Sequence, residues 1–136
     1  MKIIESITYK LNAPLTAEDV ARVYKSSGIK RPIDDLPRIQ RMIEHADITF
    51  TAWDEHKLIG IARAITDYSY CCYLSDLAVD KTYQYKGIGK QLVRLLQEEI
   101  GEEVALLLLS SPTAMEYYPK IGFDKIDNGF KISRKR

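Results

Sequence analysis

Residues 74–90, LSDLAVDKTYQYKGIGK, constrain this chain more than any other stretch. Leu74, Leu77, Ala78 and Val79 read as a buried strand, and Asp80, Lys81 and Thr82 break it. Apolar residues then return at spacings of three and four, at Ile88, Leu92, Leu95, Leu96 and Ile100, which is the period of a helix face. Gly87 and Gly89 fall at the junction. The first turn of a helix leaves backbone N–H groups without partners, and glycines remove the side chains that would screen them. The unpaired donors and the positive end of the helix dipole favour the same occupant, an anion. At about 1.5–3 kcal/mol per charge-assisted hydrogen bond, a few such amides would hold a diphosphate without a metal.

The spacing narrows the choice of phosphate ligand. A nucleotide-binding P-loop needs four residues between its glycines and a Lys-Ser/Thr ending, whereas one residue separates Gly87 from Gly89 and Lys90 is followed by Gln91. A dinucleotide fingerprint needs a third glycine where Leu92 stands. What fits is Gln/Arg-x-x-Gly-x-Gly/Ala, here Gln84-Tyr85-Lys86-Gly87-Ile88-Gly89, directly after a strand ending Leu77-Ala78-Val79. A second block, SSPTAMEYYPKIGF over residues 110–123, matches Ala-x-x-Phe-Tyr-x-x-x-Gly-Phe with Tyr117 in place of the phenylalanine. Together the two blocks resemble the GCN5-related N-acetyltransferases (GNAT) over residues 58–123, and more narrowly a group of small stand-alone bacterial acetyltransferases.

That resemblance implies an α/β (α+β) fold: a mixed, mostly antiparallel sheet of six to seven strands, about four flanking helices and one parallel strand-helix-strand crossover. It implies acetyl-CoA as cofactor, with coenzyme A as product. Its pantetheine arm would lie along Leu77, Ala78 and Val79, and its pyrophosphate on Gln84, Tyr85, Lys86, Gly87, Ile88, Gly89 and Lys90. Ser111, Ala114 and Tyr118 would contribute further contacts. A backbone amide at Val79 would face the thioester oxygen, and Tyr118 would protonate the departing sulfur.

The chain supports this chemistry unevenly. Tyrosine holds its proton at neutral pH, so Tyr118 suits a general acid; its alternative role is packing against the last strands. Direct attack by an amine fits better than an acyl-enzyme, because no cysteine or serine has a recognisable histidine partner. A general base is harder to find. Relatives often carry a carboxylate six residues before Val79, where this chain has Tyr73. Asp76 and Glu116 are the remaining candidates, and each reads equally as a structural or a solvated residue. Arg63 and Asp67 could face the acceptor or form a surface ion pair. His45 and His56 have no ligand cluster around them, so no metal is expected.

Composition bounds the partners. With 136 residues the chain reads as one domain over 1–136. Its 20 basic and 19 acidic residues leave a net charge of +1, which argues against nucleic acid or an anionic membrane as partner, including a phosphate-binding stripe of Lys81, Lys86, Lys90 and Arg94. No apolar run reaches membrane-span length, and the charges at Lys2, Glu5 and Lys10 do not suit a signal peptide, so a cytoplasmic protein is expected. Cys71 and Cys72 are adjacent in a strand-like run and read as reduced. The acceptor is a small-molecule or peptide amine, and a homodimer is compatible with the reading. The alternative function is a noncatalytic acyl-CoA-binding sensor module.

Along the chain, periodicity predicts a strand over 3–11, a helix capped by Thr16 and closed by Gly28, a loop over 27–35, and a second helix from Leu36. The resemblance implies that this loop borders the acceptor near Ile29 to Pro32; the alternative is a surface connection with no substrate contact. A hairpin follows around residues 54–57, in which Ile48, Phe50 and Ala52 alternate, and then the strand ending at Val79. After the helix from Ile88 to Ile100, residues 104–109 read as a strand covered on both faces. Residues 112–120 read as a short helix, and 123–126 with 130–133 as a last hairpin around Asp127-Asn128-Gly129.

Overall fold

The computed structural model describes residues 6–136. Five strands form one sheet in chain order: β1 (Ile7–Leu11), β2 (Ile48–Asp54), β3 (Lys57–Thr66), β4 (Cys71–Val79) and β5 (Ala105–Leu107). The first four pair antiparallel, and β5 runs parallel to β4. A parallel pair needs a crossover, which α3 (Ile88–Ile100) supplies. The other helices are α1 (Ala17–Ser27), α2 (Leu36–Glu44) and the single turn α4 (Tyr117–Lys120). The mixed, mostly antiparallel architecture is the one the sequence indicated.

Local chemistry sets the helix ends. Thr16 Oγ1 accepts the Asp19 amide at 3.1 Å, and Gly28 closes α1 at φ +86°, donating its N–H to the carbonyls of Tyr24 and Lys25. Asp35 Oδ1 accepts the Arg38 amide at 3.1 Å to start α2. The sheet is covered on both faces. On one, Val20, Val23 and Tyr24 of α1 and Ile39 of α2 pack against Leu58, Ile61 and Ala78; on the other, Ile88, Leu92, Val93 and Leu96 of α3 pack against Ile48, Phe50, Ala62 and Leu74. Each such buried aliphatic side chain contributes about 1.5–3 kcal/mol before entropy is charged against it.

Three expectations are corrected. Residues 48–52 do not alternate between core and solvent, because helices cover both faces: Thr49 and Thr51 are buried too, and Thr51 Oγ1 accepts the Trp53 indole N–H at 2.8 Å. The run at 104–109 is not covered on both faces, since Leu107 and Leu109 are 45% and 62% exposed. The last hairpin is absent among the described residues, so the sheet has five strands rather than six to seven. A turn such as Asp127-Asn128-Gly129 stabilises a hairpin only when its arms find a sheet edge, and three residues of β5 offer a short one; Phe130 and Ile132 remain fully exposed. The expected strand over 3–11 is seen as β1, with residues 3–5 outside the described region. Among the described residues no helix is long and apolar enough to cross a membrane.

A bulge in β4 positions the site. Arg63 pairs with Asp76 but Ala64 pairs with Leu74, so Ser75 has no opposite residue. The extra residue switches the pleat: Cys72 and Leu74 turn toward α3, while Ala78 turns toward α1 and Asp76 meets Tyr24 of that helix. Pairing with β5 ends at Tyr73↔Leu107, just before the bulge. From residue 74 onward β4 has β3 on one side and an open edge on the other.

Candidate functional site

The open edge carries usable main-chain groups. Asp80 donates its N–H to the Ile59 carbonyl at 2.8 Å, so its main chain faces β3. Successive strand residues alternate, which directs Ala78 to β3 as well and Leu77 and Val79 to the open edge. The Val79 carbonyl accepts the Gln84 side-chain amide at 2.9 Å, which leaves the Val79 N–H and both groups of Leu77. Ala78 is 2% exposed and contributes packing.

The edge runs into the glycine turn, which is held from several sides. Asp80 Oδ1 accepts from the Thr82 amide at 3.0 Å and from its hydroxyl at 2.9 Å, and Ser26 Oγ of α1 accepts the Lys81 amide at 2.9 Å. The Tyr83 hydroxyl donates to Asp54 of β2. Burial raises the Asp80 pKa, but the two Thr82 bonds and nearby Lys57 hold it below the ordinary carboxylate value. Beyond this anchor, Tyr85 and Gly87 both adopt left-handed conformations, at φ +64° and +81°. A non-glycine residue there is strained, and such strain concentrates at functional turns. Gly87 starts α3 with no side-chain cap and no acidic residue in the first turn. The amides of Ile88, Gly89 and Lys90 therefore face outward without a local acceptor, between the exposed Lys86 and Lys90 side chains. Ile88 can serve only through its main chain, because its side chain is 2% exposed in the core.

The second sequence block meets this turn. A Cβ built on Gly89 would lie 2.7 Å from the Tyr117 hydroxyl, so the absence of a side chain admits that phenol. Tyr117 stacks edge-on against Tyr118 at 5.3 Å, and Tyr118 against Phe123 at 5.5 Å. Burial first, then Tyr117, push the Tyr118 phenol above its ordinary pKa, and the positive charge of Arg31 partly opposes them. Ser111 and Ala114 lie at the 3-10 turn before α4, with Ser111 exposed and its carbonyl accepting the Ala114 amide.

On the α1 side of β4, Asp76 is 1% exposed and fully engaged. It accepts from the Tyr24 hydroxyl at 2.6 Å, from Arg63 Nε at 2.5 Å and from Arg31 Nε. Burial raises its pKa, but Arg63, Arg31 and Tyr24 more than offset that and hold it below the usual value. A carboxylate so held is a poor proton acceptor, so Asp76 is a structural counter-ion rather than the base. Glu116 is exposed. Asp67 caps its own turn, accepting the amides of Ser69, Tyr70 and Cys71. The Arg31–Asp76 and Tyr24–Asp76 pairs join residues 45 and 52 positions apart, and no local pattern announces them.

Comparison with known proteins bears on the family and the fold. A family model described as an acetyltransferase (GNAT) domain matches residues 20–132. The chloroplastic GCN5-related N-acetyltransferase 2 of Arabidopsis thaliana is 37% identical over 82 residues, which is 57% of this chain and 31% of that protein. The chain thus spans about a third of the length of the plant relative it matches. A Staphylococcus aureus crystal structure described as a probable acetyltransferase superposes with a TM-score of 0.80 at 24% identity, covering 94% of this chain and 99% of that one. An aminoglycoside N-acetyltransferase in complex with CoA superposes with a TM-score of 0.69 at 17% identity, covering 96% and 95%. At these identities the structural matches establish the shared fold.

Proposed function

The chain belongs to the GNAT acetyltransferase family, and from that premise we propose that it moves the acetyl group of acetyl-CoA to a primary amine by direct attack. One observation carries the proposal: β4 leaves the Val79 N–H and both main-chain groups of Leu77 without a strand partner, and the turn that follows it leads to the uncapped amides of Ile88, Gly89 and Lys90. A ligand that bears a diphosphate at one end and an extended amide-containing arm at the other matches both parts. The residues present fit acetyl-CoA, which when bound supplies an activated acyl carbon and a thiol leaving group.

Each residue then has a task. The α3 amides, with Lys86 and Lys90 beside them, bind the phosphates. Leu77 and Val79 align the arm as an added strand would be aligned, and a free N–H on this edge is positioned for the thioester oxygen, where negative charge grows during attack. Gly89 and Tyr117 set the position of Tyr118, whose raised pKa keeps it protonated and able to donate to the departing sulfur. With Asp76 engaged and Glu116 exposed, the amine enters as its free base from solvent.

The test is release of coenzyme A thiol from acetyl-CoA in the presence of an amine panel, repeated with Tyr118→Phe. Amine-dependent release that falls sharply in the variant supports the proposal. The engagement of Asp76 by Arg63, Arg31 and Tyr24 favours a second reading, an acyl-CoA-binding module without turnover. Tight acetyl-CoA binding with no release for any amine selects that reading instead.

A further inference from the structure

Beside the open edge of β4, on its α1 and α2 side, lies a cavity of about 360 Å3. Five of its eight lining residues are basic, including Lys30, Arg31, Arg38 and Arg63, and none is acidic. Among the described residues the only side-chain carboxylate bound to these guanidiniums is Asp76, which bonds Arg31 and Arg63 from behind, while Arg38 Nη2 donates to the Arg136 main-chain oxygen at 3.3 Å on the exposed side. One buried negative charge thus faces two positive ones. Arg63 is 6% exposed and the Arg31 side chain 25%, so the surplus charge is only partly relieved by water.

The cavity also adjoins the reacting end of the site. Arg31 Nη2 donates to the Ser75 carbonyl at 2.7 Å, at the bulge where β4 leaves β5. Its charge is felt at the Tyr118 phenol. A guanidinium has five N–H donors, and Arg31 uses three nitrogens for one bond each, to Asp76, Lys30 and Ser75, which leaves donors for a ligand.

We propose that the acceptor is a small amine that also carries an anionic oxyacid group, and that Lys30, Arg31 and Arg38 receive that group while the amine reaches the thioester. This rests on the acetyltransfer reading and gives it a substrate class. A polycationic acceptor is disfavoured, since each ammonium would meet a cavity already in positive surplus.

The experiment measures thiol release from acetyl-CoA with glutamate and O-phosphoserine against spermidine and kanamycin, for the native chain and for a Lys30→Glu, Arg38→Glu double variant. Neither of these side chains touches Asp76, and an unchanged thermal midpoint confirms that the variant is folded. The expected result is a kcat/KM at least tenfold higher for the anionic amines, and a tenfold or greater rise in their KM in the variant with kcat little changed. Preference for spermidine or kanamycin, or a KM indifferent to the charge reversal, overturns the inference and leaves acetyltransfer standing. Acetyl-CoA binding by calorimetry without release for any amine overturns the acetyltransfer reading, and this inference with it.

Discussion

The Tyr117 hydroxyl stands 2.7 Å from the point that a Cβ on Gly89 would occupy, so the turn that starts α3 and the tyrosine pair of α4 fit together only because residue 89 has no side chain. The contact joins the two motifs by which the family is recognised. Gly89→Ala would displace the far end of a side chain rather than backbone, and alanine is intrinsically the better helix former by about 1 kcal/mol. Stability should therefore change by no more than about 1 kcal/mol, while the shifted Tyr117 disturbs Tyr118 stacked on it and kcat falls several-fold. Tyr117→Phe removes the clashing oxygen, so adding it to Gly89→Ala should restore part of the lost rate. Steady-state kinetics and a thermal melt check both points.

Gly87 differs from Gly89 in what it requires. Space around it is open, but its φ of +81° is costly for any other residue. Gly87→Ala should cost about 1–2 kcal/mol of stability through backbone strain and weaken acetyl-CoA binding modestly. Gly87→Glu adds a carboxylate at the proposed phosphate site and should abolish binding in a folded domain. Calorimetry on both variants separates strain from charge, and equal affinity in the two would contradict a phosphate site here.

Tyr118→Phe keeps both edge-on ring contacts and removes only the hydroxyl. The expected outcome is a kcat lowered at least tenfold, with acetyl-CoA affinity and melting temperature little changed. Because burial raises the phenol pKa, an alkaline loss of kcat caused by this group should appear only above pH 10, the ordinary tyrosine value. A loss near neutrality that disappears in the variant would contradict the assignment.

Asp76 links the site to stability. Its folded pKa is depressed relative to the unfolded chain, so its contribution is fully present above the unfolded value of about 3.9 and is lost as pH falls through the lower, folded value. Asp76→Asn should cost about 3–5 kcal/mol, because it leaves two guanidiniums in a poorly hydrated place without a counter-ion. The variant should also lose the native chain's sensitivity to acid over that range, as denaturant melts from pH 2 to 7 would show.

What was legible in the sequence was what local chemistry decides. Thr16, Gly28 and Gly101 end helices through bonds to residues three or four positions away, and those three helix ends follow from them. The glycine turn was legible for the same reason. Pairing between distant segments was not. Asp127-Asn128-Gly129 signals a hairpin locally but cannot show that β5 is too short to hold its arms. The bulge at Ser75 leaves no mark in the apolar pattern, yet it turns Asp76 under α1 and makes that residue a counter-ion rather than a base. Arg31 reads as one more loop cation until the fold brings it to Asp76.

The central claim is that the Leu77 and Val79 main chain and the first amides of α3 form one continuous binding track. Amide hydrogen exchange resolved by residue tests it most directly, with and without acetyl-CoA. The track predicts that Leu77, Val79, Ile88, Gly89 and Lys90 slow together on addition of the ligand, while Ala78, already bonded to β3, does not change. Unaltered exchange at these five amides under saturating ligand, with protection elsewhere, would contradict it.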